Sequence, residues 1–391
     1  MPWVDCMKLF KDALYNYVRL NDCEREVADS RVFQRLRYIK QLAMAYLVYP
    51  GANHTRFEHS LGVLFLAKRY FELRGEEPDD ELVLAALLHD VGHGPFSHES
   101  EHLFKRGGII SHEDLSVKKV GSGEIADIIE RHGFSPRKVC GYIKGRGKGV
   151  LITGALGIDR MDYLMRDSYY AGTLHGKIDY ERLMNNIEIR GGRLMLDAKG
   201  IEEAESLVLS RFMMFATLYQ HKTVDIARAM VRKAMEHAYD DGVFTLDEFS
   251  NMTDYECMMR AGESKSAAPI IERVLGRGLY KTAVFMRGYE IPEKFREAIA
   301  NESFIRKFER ELCAECGLTQ DEVVTHYTTG NYKAIDVHIS GDKMRELAEV
   351  SDVVASIKEA YERKRVFFVA VPEEKRVKVG KVAVNIIKSY S

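Results

Sequence analysis

Between Asp29 and Ala45 the apolar positions Val32, Phe33, Leu36, Ile39, Leu42 and Ala43 recur at the three-and-four spacing of one helical face. From Phe57 the series Leu61, Leu64 and Phe65 continues that spacing until Gly75 and Pro78 end the segment. Asp79 or Asp80 offers a cap for a helix whose apolar run closes at His89-Asp90, and Gly92, Gly94 and Pro95 break it. Another helix is expected near Ser97, a good cap residue. The Gly-rich, basic stretches 106–123 and 144–157 read as loops flanking a site.

A long amphipathic stretch runs from Ile201 to about Ala238, closed by Asp240-Asp241-Gly242, with more helices to about residue 318. The tail changes character. Ala334 to Ile339, Val366 to Val371 and Val382 to Ile387 alternate or run β-branched, as strands do. The pattern predicts a mainly α protein, a helical body with a smaller α+β C-terminal region.

Lys plus Arg total 57 against 59 Asp plus Glu over 391 residues, so no global positive field favours nucleic acid or anionic lipid. No apolar run approaches the roughly 20 residues of a membrane span, and charges at Asp5, Lys8, Lys11 and Asp12 exclude a signal-peptide stretch. Six scattered cysteines, with one CxxC at Cys313 and Cys316, read as reduced thiols. The expectation is a soluble, cytoplasmic protein with neither membrane nor nucleic acid as partner.

His54, His59, His89, His93, His98, His102 and His112 crowd into 59 residues beside Gly and Pro breakers. One histidine at the end of an apolar helix is ordinarily structural; seven together call for chemistry. His89-Asp90 closes a helix, His59 lies one helix earlier, and Asp159 is the best further carboxylate. Asp159, Tyr163 and Asp167 fall on one helical stripe. Two imidazoles and two carboxylates suit a divalent iron, manganese, zinc or nickel ion, which activates water and polarises a phosphoryl oxygen. The cations Arg56, Arg160, Arg166 and Arg211 fit a polyanionic substrate. Metal-assisted phosphate-ester hydrolysis follows. A rival pattern, His98-Glu99-Ser100-Glu101-His102, satisfies the HExxH of zinc peptidases but leaves His59, His89, Asp90 and Asp159 unexplained.

Three stretches together resemble the HD-domain superfamily: Val32 to Leu42, Arg56-Phe57-Glu58-His59-Ser60-Leu61-Gly62-Val63, and His89-Asp90-Val91-Gly92-His93-Gly94-Pro95-Phe96-Ser97-His98. Within it the likeness is to deoxynucleoside triphosphate triphosphohydrolases of the sterile-alpha-motif/HD type and their prokaryotic relatives. It continues through Asp159 to Asp167, Tyr219-Gln220-His221-Lys222 and Arg277-Gly278-Leu279-Tyr280-Lys281. Residues 1–290 are therefore expected to form an HD phosphohydrolase core and 291–391 an α+β region, with no sterile-alpha-motif domain ahead.

The resemblance implies metal ligation by His59, His89, Asp90 and Asp159, and catalysis by His93, His98 and His112, with His98 protonating the departing 5′ oxygen. Glu101 stands where the family has an aspartate, one methylene shorter. Phosphate contacts are implied for Arg56, Arg160 and Arg211, and sugar contacts for Gln41, Leu42, Tyr163, Asp167 and Tyr219. Gln41 and Asp167 would hold the 3′-hydroxyl, while Leu42 and Tyr219 would crowd out a 2′-hydroxyl. Phe215 replaces a histidine of the vertebrate pocket.

A guanine-nucleotide effector site is implied at Lys8, Asp29, Gln34, Arg37, Arg277 and Lys281. A second effector site is matched in part by Arg182, Lys199, His221 and Lys222, with Lys11, Tyr17 and Asp197 departing from the pattern. Positions so far apart suit a subunit interface, and a homo-oligomer, a tetramer, is expected. The reading is a dNTP triphosphohydrolase with a divalent transition metal, magnesium accompanying the nucleotide, and GTP or dGTP as activator. The alternatives are an HD phosphohydrolase acting on another nucleotide or a phosphodiester, and a nucleotide-binding sensor without turnover.

Overall fold

The structure, a computed structural model, describes residues 8–109, 111–328, 337–340 and 345–390. A hairpin opens it: β1 (Lys8–Asp12) and β2 (Asn16–Leu20) pair antiparallel, Lys8 opposite Leu20 and Asp12 opposite Asn16. Asp12 Oδ1 accepts the Leu14 and Tyr15 N–H groups at 2.8 and 3.0 Å, and left-handed Asn16 (φ 67°) turns the chain back.

Helix α1 (Arg56–Glu72) starts on a Thr55–Glu58 capping box and is buried around most of its surface. Helix α2 (Asp80–Leu88) is capped by the Asp79 side chain, and every residue from Leu82 to Leu88 is buried. A helix apolar all round belongs inside a core. After His89 the chain passes through left-handed Phe96 and Ser97 (φ 58° and 57°) and a 3₁₀ turn, Ser97–Ser100, into α3 (Glu101–Arg106). Helix α4 (His112–Val120) follows a Ser111–Asp114 capping box. Helix α5 (Ile158–Ala171) packs on α1 at Gly62, where a Cβ would fall 2.0 Å from Asp162 Oδ1.

Further on come α6 (Lys222–Asp240), β3 (Lys281–Arg287), α7 (Glu302–Cys316), β4 (Val324–Tyr327), β5 (Val366–Val371) and α8 (Arg376–Lys388). Strand β5 is central in an antiparallel sheet ordered β3-β5-β4. Phe295, Phe308 and Phe367 meet edge-to-face in the core beneath it.

Two units result: Met1–Met214, Leu246–Tyr255 and Ala334–Ala355 form one, and Phe215–Thr245, Glu256–Lys333 and Ser356–Ser391 the other. The fold is mainly α, a helical core with a smaller α+β C-terminal region. Among the described residues, no helix is long and apolar enough to cross a membrane.

Several local expectations are corrected. The periodicity over Asp29–Ala45 is realised as short pieces, helix Arg31–Gln34 and 3₁₀ turns Arg35–Tyr38 and Ala43–Leu47, because Ser30 ends one helix and caps the next. Stretch 106–123 holds α4, and 144–157 holds helix Val150–Thr153. The amphipathic stretch from Ile201 is interrupted by a π turn at Phe215–Tyr219, and β3 intervenes among the later helices. Val382–Ile387 is not a strand: it lies in α8, which buries Val379, Ala383, Ile386 and Ile387 at helical spacing. Of Ala334–Ile339, 334–336 lie outside the described residues and His338–Ile339 is a strand.

Candidate metal centre and active site

His59, one turn into α1, is fully buried. Its Nδ1 lies 2.7 Å from Asp162 Oδ2; a carboxylate there only accepts, so Nδ1 carries the proton. His59 Nε2 faces Asp159 Oδ1 at 3.1 Å and Asp90 Oδ2 at 3.6 Å. His89, capping α2, donates from Nδ1 to the Ala86 carbonyl at 2.8 Å. Its Nε2 is left buried without a hydrogen bond, 3.4 Å from Asp90 Oδ1 and 3.6 Å from Asp159 Oδ1. An orphaned imidazole nitrogen converging with three charged or protonated partners fits a divalent cation, and each ring is oriented through its other nitrogen as metal-ligating histidines are.

The electrostatics agree. Burial lowers the His59 pKa, but its bonds to Asp159 and Asp162 outweigh that and push it up to about 10. Burial raises the carboxyls of Asp90 and Asp159, yet His89 and Arg56 hold the first, and His59 and His89 the second, well below the usual range. A cluster short of positive charge binds its own protons this strongly, and a metal ion would displace them.

Beside it His93, His98, Glu101 and His112 converge, with one donor atom from each lying within 4.8 Å of the others. The His93 and His112 rings stack at 3.9 Å, and His93 Nε2 is 3.3 Å from Asp90 Oδ1. Glu101 Oε1 accepts from His98 Nδ1 at 2.9 Å and from His112 Nδ1 at 2.7 Å. Burial pushes the Glu101 carboxyl up, and those two bonds more than reverse it. Burial, with Arg56 and His112 alongside, holds His93 well below 6.5, which keeps it neutral. His98 is 63% exposed, so an imidazole with a fixed Nδ1 meets solvent. His102 instead bonds the Glu99 carbonyl, so the HExxH pair does not converge.

Of the cations read as substrate contacts, Arg56 is buried, donating to Asp90 Oδ2 at 2.6 Å and Ser97 Oγ at 2.9 Å. Arg160 bonds the Ala155 carbonyl. Arg166 corrects the sequence reading: it is fully buried in ion pairs with Asp162 and Asp12, closed to any substrate. Gln41 is buried with its Oε1 unpartnered, and Leu42 is buried next to it. Asp167 Oδ1 meets His54 Nε2 at 2.7 Å, a pairing not foreseen. Tyr163 lies between Asp159 and Asp167 on α5, and Arg211 on helix Ile201–Met214. Tyr219 belongs to the second unit, edge-on to Phe215 at 5.1 Å.

Among the effector positions, Lys8 pairs with Asp29, and Gln34 Oε1 accepts from Arg37 Nε at 2.7 Å. Arg182 pairs with Glu203 at 2.8 Å, Lys199 sits in a 3₁₀ turn, and His221 caps α6. Lys222, from the second predicted set, lines one cavity of about 340 Å³ with Arg277 and Lys281 from the first. Arg376 completes its cationic wall; sequence reasoning missed it because it lies beyond the stretch that carries the resemblance.

A family model described as an HD domain matches residues 56–167, which contain all four candidate metal ligands, and one described as an HD associated region matches 178–389. The chain is 33% identical over 383 residues to an uncharacterized protein of Methanocaldococcus jannaschii, covering 94% of this chain and 80% of that one. It is 29% identical over 312 residues to the deoxynucleoside triphosphate triphosphohydrolase SAMHD1 homolog of Dictyostelium discoideum, covering 70% and 59%. It thus spans less than two thirds of that relative's length. A crystal structure of a hypothetical protein from Aquifex aeolicus matches with a TM-score of 0.75 at 28% identity, covering 96% of this chain and 99% of that one.

Proposed function

The chain belongs to the HD-domain family and carries its HD-associated region, and from that premise we propose that it hydrolyses deoxynucleoside triphosphates to deoxynucleoside and inorganic triphosphate. The observation that carries the reading is the orphaned, buried His89 Nε2 among His59, Asp90 and Asp159, with the His93–His98–Glu101–His112 cluster alongside. Dictyostelium discoideum has a similar protein named for this activity.

His59, His89, Asp90 and Asp159 would hold a divalent ion, which when bound lowers the pKa of water and polarises a phosphoryl oxygen. Water adds at the α-phosphorus and releases a proton to solvent, the bond to the 5′ oxygen breaks, and that oxygen takes a proton from His98 Nε2, which solvent then restores. Glu101 fixes the His98 ring through Nδ1, leaving Nε2 as the nitrogen that can serve the leaving oxygen. Neutral His93, stacked on His112, offers an N–H to the α-phosphate without adding a charge. The unpartnered Gln41 Oε1 can accept from the 3′-hydroxyl, and Leu42 beside it would exclude a 2′-hydroxyl. Arg160 and Arg211 are the phosphate contacts in this reading; Arg56 acts by holding Asp90.

A guanine nucleotide is the proposed activator; of its expected contacts, Lys8, Asp29, Gln34 and Arg37 belong to the first unit and Arg277 and Lys281 to the second. The cavity of Lys222, Arg277, Lys281 and Arg376 supports it, since four cations suit a polyphosphate. The second set, Arg182, Lys199, His221 and Lys222, contributes Lys222 to that cavity.

Product analysis tests the reading: manganese-loaded protein is incubated with each dNTP, with and without GTP or dGTP. Deoxynucleoside with one equivalent of triphosphate is expected. Orthophosphate or pyrophosphate would point to another phosphohydrolase, and no turnover from metal-loaded protein to a nucleotide sensor.

A further inference from the structure

Behind the metal centre runs a line of buried charges that the reaction does not touch. His59 Nδ1 donates to Asp162 Oδ2 at 2.7 Å. Arg166 grips Asp162 with two bonds, Nε to Oδ2 at 2.9 Å and Nη2 to Oδ1 at 3.0 Å. Its remaining arm, Nη1, reaches Asp12 Oδ2 at 2.8 Å, at the end of β1. Arg166 and Asp162 are fully buried, and Asp12 is 8% exposed. Gly62, one turn along α1 from His59, leaves the room: a Cβ would fall 2.5 Å from Arg166 Nη2.

The charge count explains the arrangement. One guanidinium shared by two carboxylates leaves a net negative charge, which Asp162 presents to His59 Nδ1–H. A carboxylate on the far nitrogen makes the near one a better ligand and fixes the ring's orientation. Without the Asp12 charge, Arg166 would neutralise Asp162 alone, and that support would weaken.

We propose that Asp12, acting through Arg166 and Asp162, is a positioning residue for the metal ligand His59, so that the seat of the N-terminal hairpin sets the affinity of the centre for its ion. The inference rests on the metal-centre reading above. Asp12→Asn is the informative variant because the amide keeps an Oδ1 acceptor for the Leu14 and Tyr15 N–H groups while losing the charge.

The experiment is titration of metal-stripped full-length protein with manganese, read by the EPR signal of the free ion, alongside thermal unfolding of the metal-free form. Asp162→Asn should weaken binding by roughly 10–100-fold and Asp12→Asn by about tenfold, the range measured for such outer partners. Lys11→Ala, on the same strand, should leave affinity unchanged. A merely structural role would lower the unfolding temperature of Asp12→Asn and leave its manganese affinity as in the wild type; that result overturns the inference. Wild-type protein that binds no manganese overturns the metal centre and this inference with it, whereas wild-type binding with an unaltered Asp162→Asn overturns the relay alone.

Discussion

Glu101 Oε1 accepts from His112 Nδ1 at 2.7 Å, and the same oxygen accepts from His98 Nδ1 at 2.9 Å. One carboxylate oxygen thereby orients two imidazoles. Glu101→Gln removes the charge and keeps the shape. It should lower kcat about tenfold, the low end of what a hydrogen bond to a charged group is worth, with bound manganese unchanged. Steady-state rates and metal analysis of one preparation decide it. His98→Ala should cost more, about a hundredfold to ten-thousandfold, as expected for a lost general acid.

Asp159 differs from its neighbours in being partly open: its side chain is 34% exposed, while those of His59, His89 and Asp90 are buried. Its removal empties part of the centre without opening a core cavity. Asp159→Ala should abolish turnover and reduce metal content while leaving helical circular dichroism intact. Full activity in that variant would falsify the metal assignment.

How far the site was legible follows from sequence distance. His89-Asp90 and the breakers after it are local, so the end of α2 could be read directly. Arg166 could not. Its partner Asp12 is 154 residues upstream, and without it an arginine beside an acidic motif looks like a substrate contact. His54 was counted within the cluster, but its pairing with Asp167 across 113 residues gave no local signal. Val382–Ile387 shows the complementary failure. A β-branched run favours a strand, but burial of Val379, Ala383 and Ile387 on one face decides for helix. His112 lay in a Gly-rich stretch read as loop, although Ser111 with Asp114 three residues on already marked a helix start.

Asp254 holds the strained approach to His98. It accepts the Phe96 N–H at 2.6 Å and the Lys40 N–H at 2.9 Å, tying the left-handed Phe96–Ser97 pair to the residue before Gln41. Left-handed non-glycine residues cost about 1–2 kcal/mol each and persist only when surrounding contacts enforce them. Asp254→Ala strands two N–H groups and should destabilise the fold by about 2–6 kcal/mol, at about 1–3 kcal/mol per unsatisfied group. A shift of the urea midpoint measures this, and kcat should fall in the folded fraction.

Lys119 gives a pH dependence with a definite sign. It donates to the Ser250 carbonyl at 3.1 Å and to Asn251 Oδ1 at 2.8 Å, and burial, with Arg35 nearby, pushes its pKa down to about 7. An unfolded lysine titrates near 10.4. Between about pH 7 and 10 the unfolded chain therefore holds a proton the folded chain has released, so this group makes stability rise with pH across that window. Below pH 7 both states are protonated and its contribution is flat. Lys119→Met should abolish the rise, seen as urea midpoints at pH 7 and 9.5 that differ less than in the wild type.

The effector cavity can be separated from the reaction because none of its lining residues belongs to the catalytic cluster. Arg376 is 54% exposed, donates from Nε to the Thr282 carbonyl at 2.9 Å, lies 3.8 Å through Nη1 from Glu373 Oε1, and lines the cavity. Arg376→Ala removes one cation from the four. It should raise the GTP concentration for half-maximal stimulation by about tenfold, the worth of one charge-assisted bond, with basal rate and manganese content unchanged. Arg37→Ala should act in the same direction. Because Arg37 stacks on Phe57 of α1 at 3.6 Å, a fall in its basal rate as well would mean that the packing of α1, not nucleotide binding, had changed. Stimulation that survives undiminished in both variants would remove the guanine-nucleotide reading and leave the cavity without an assigned ligand.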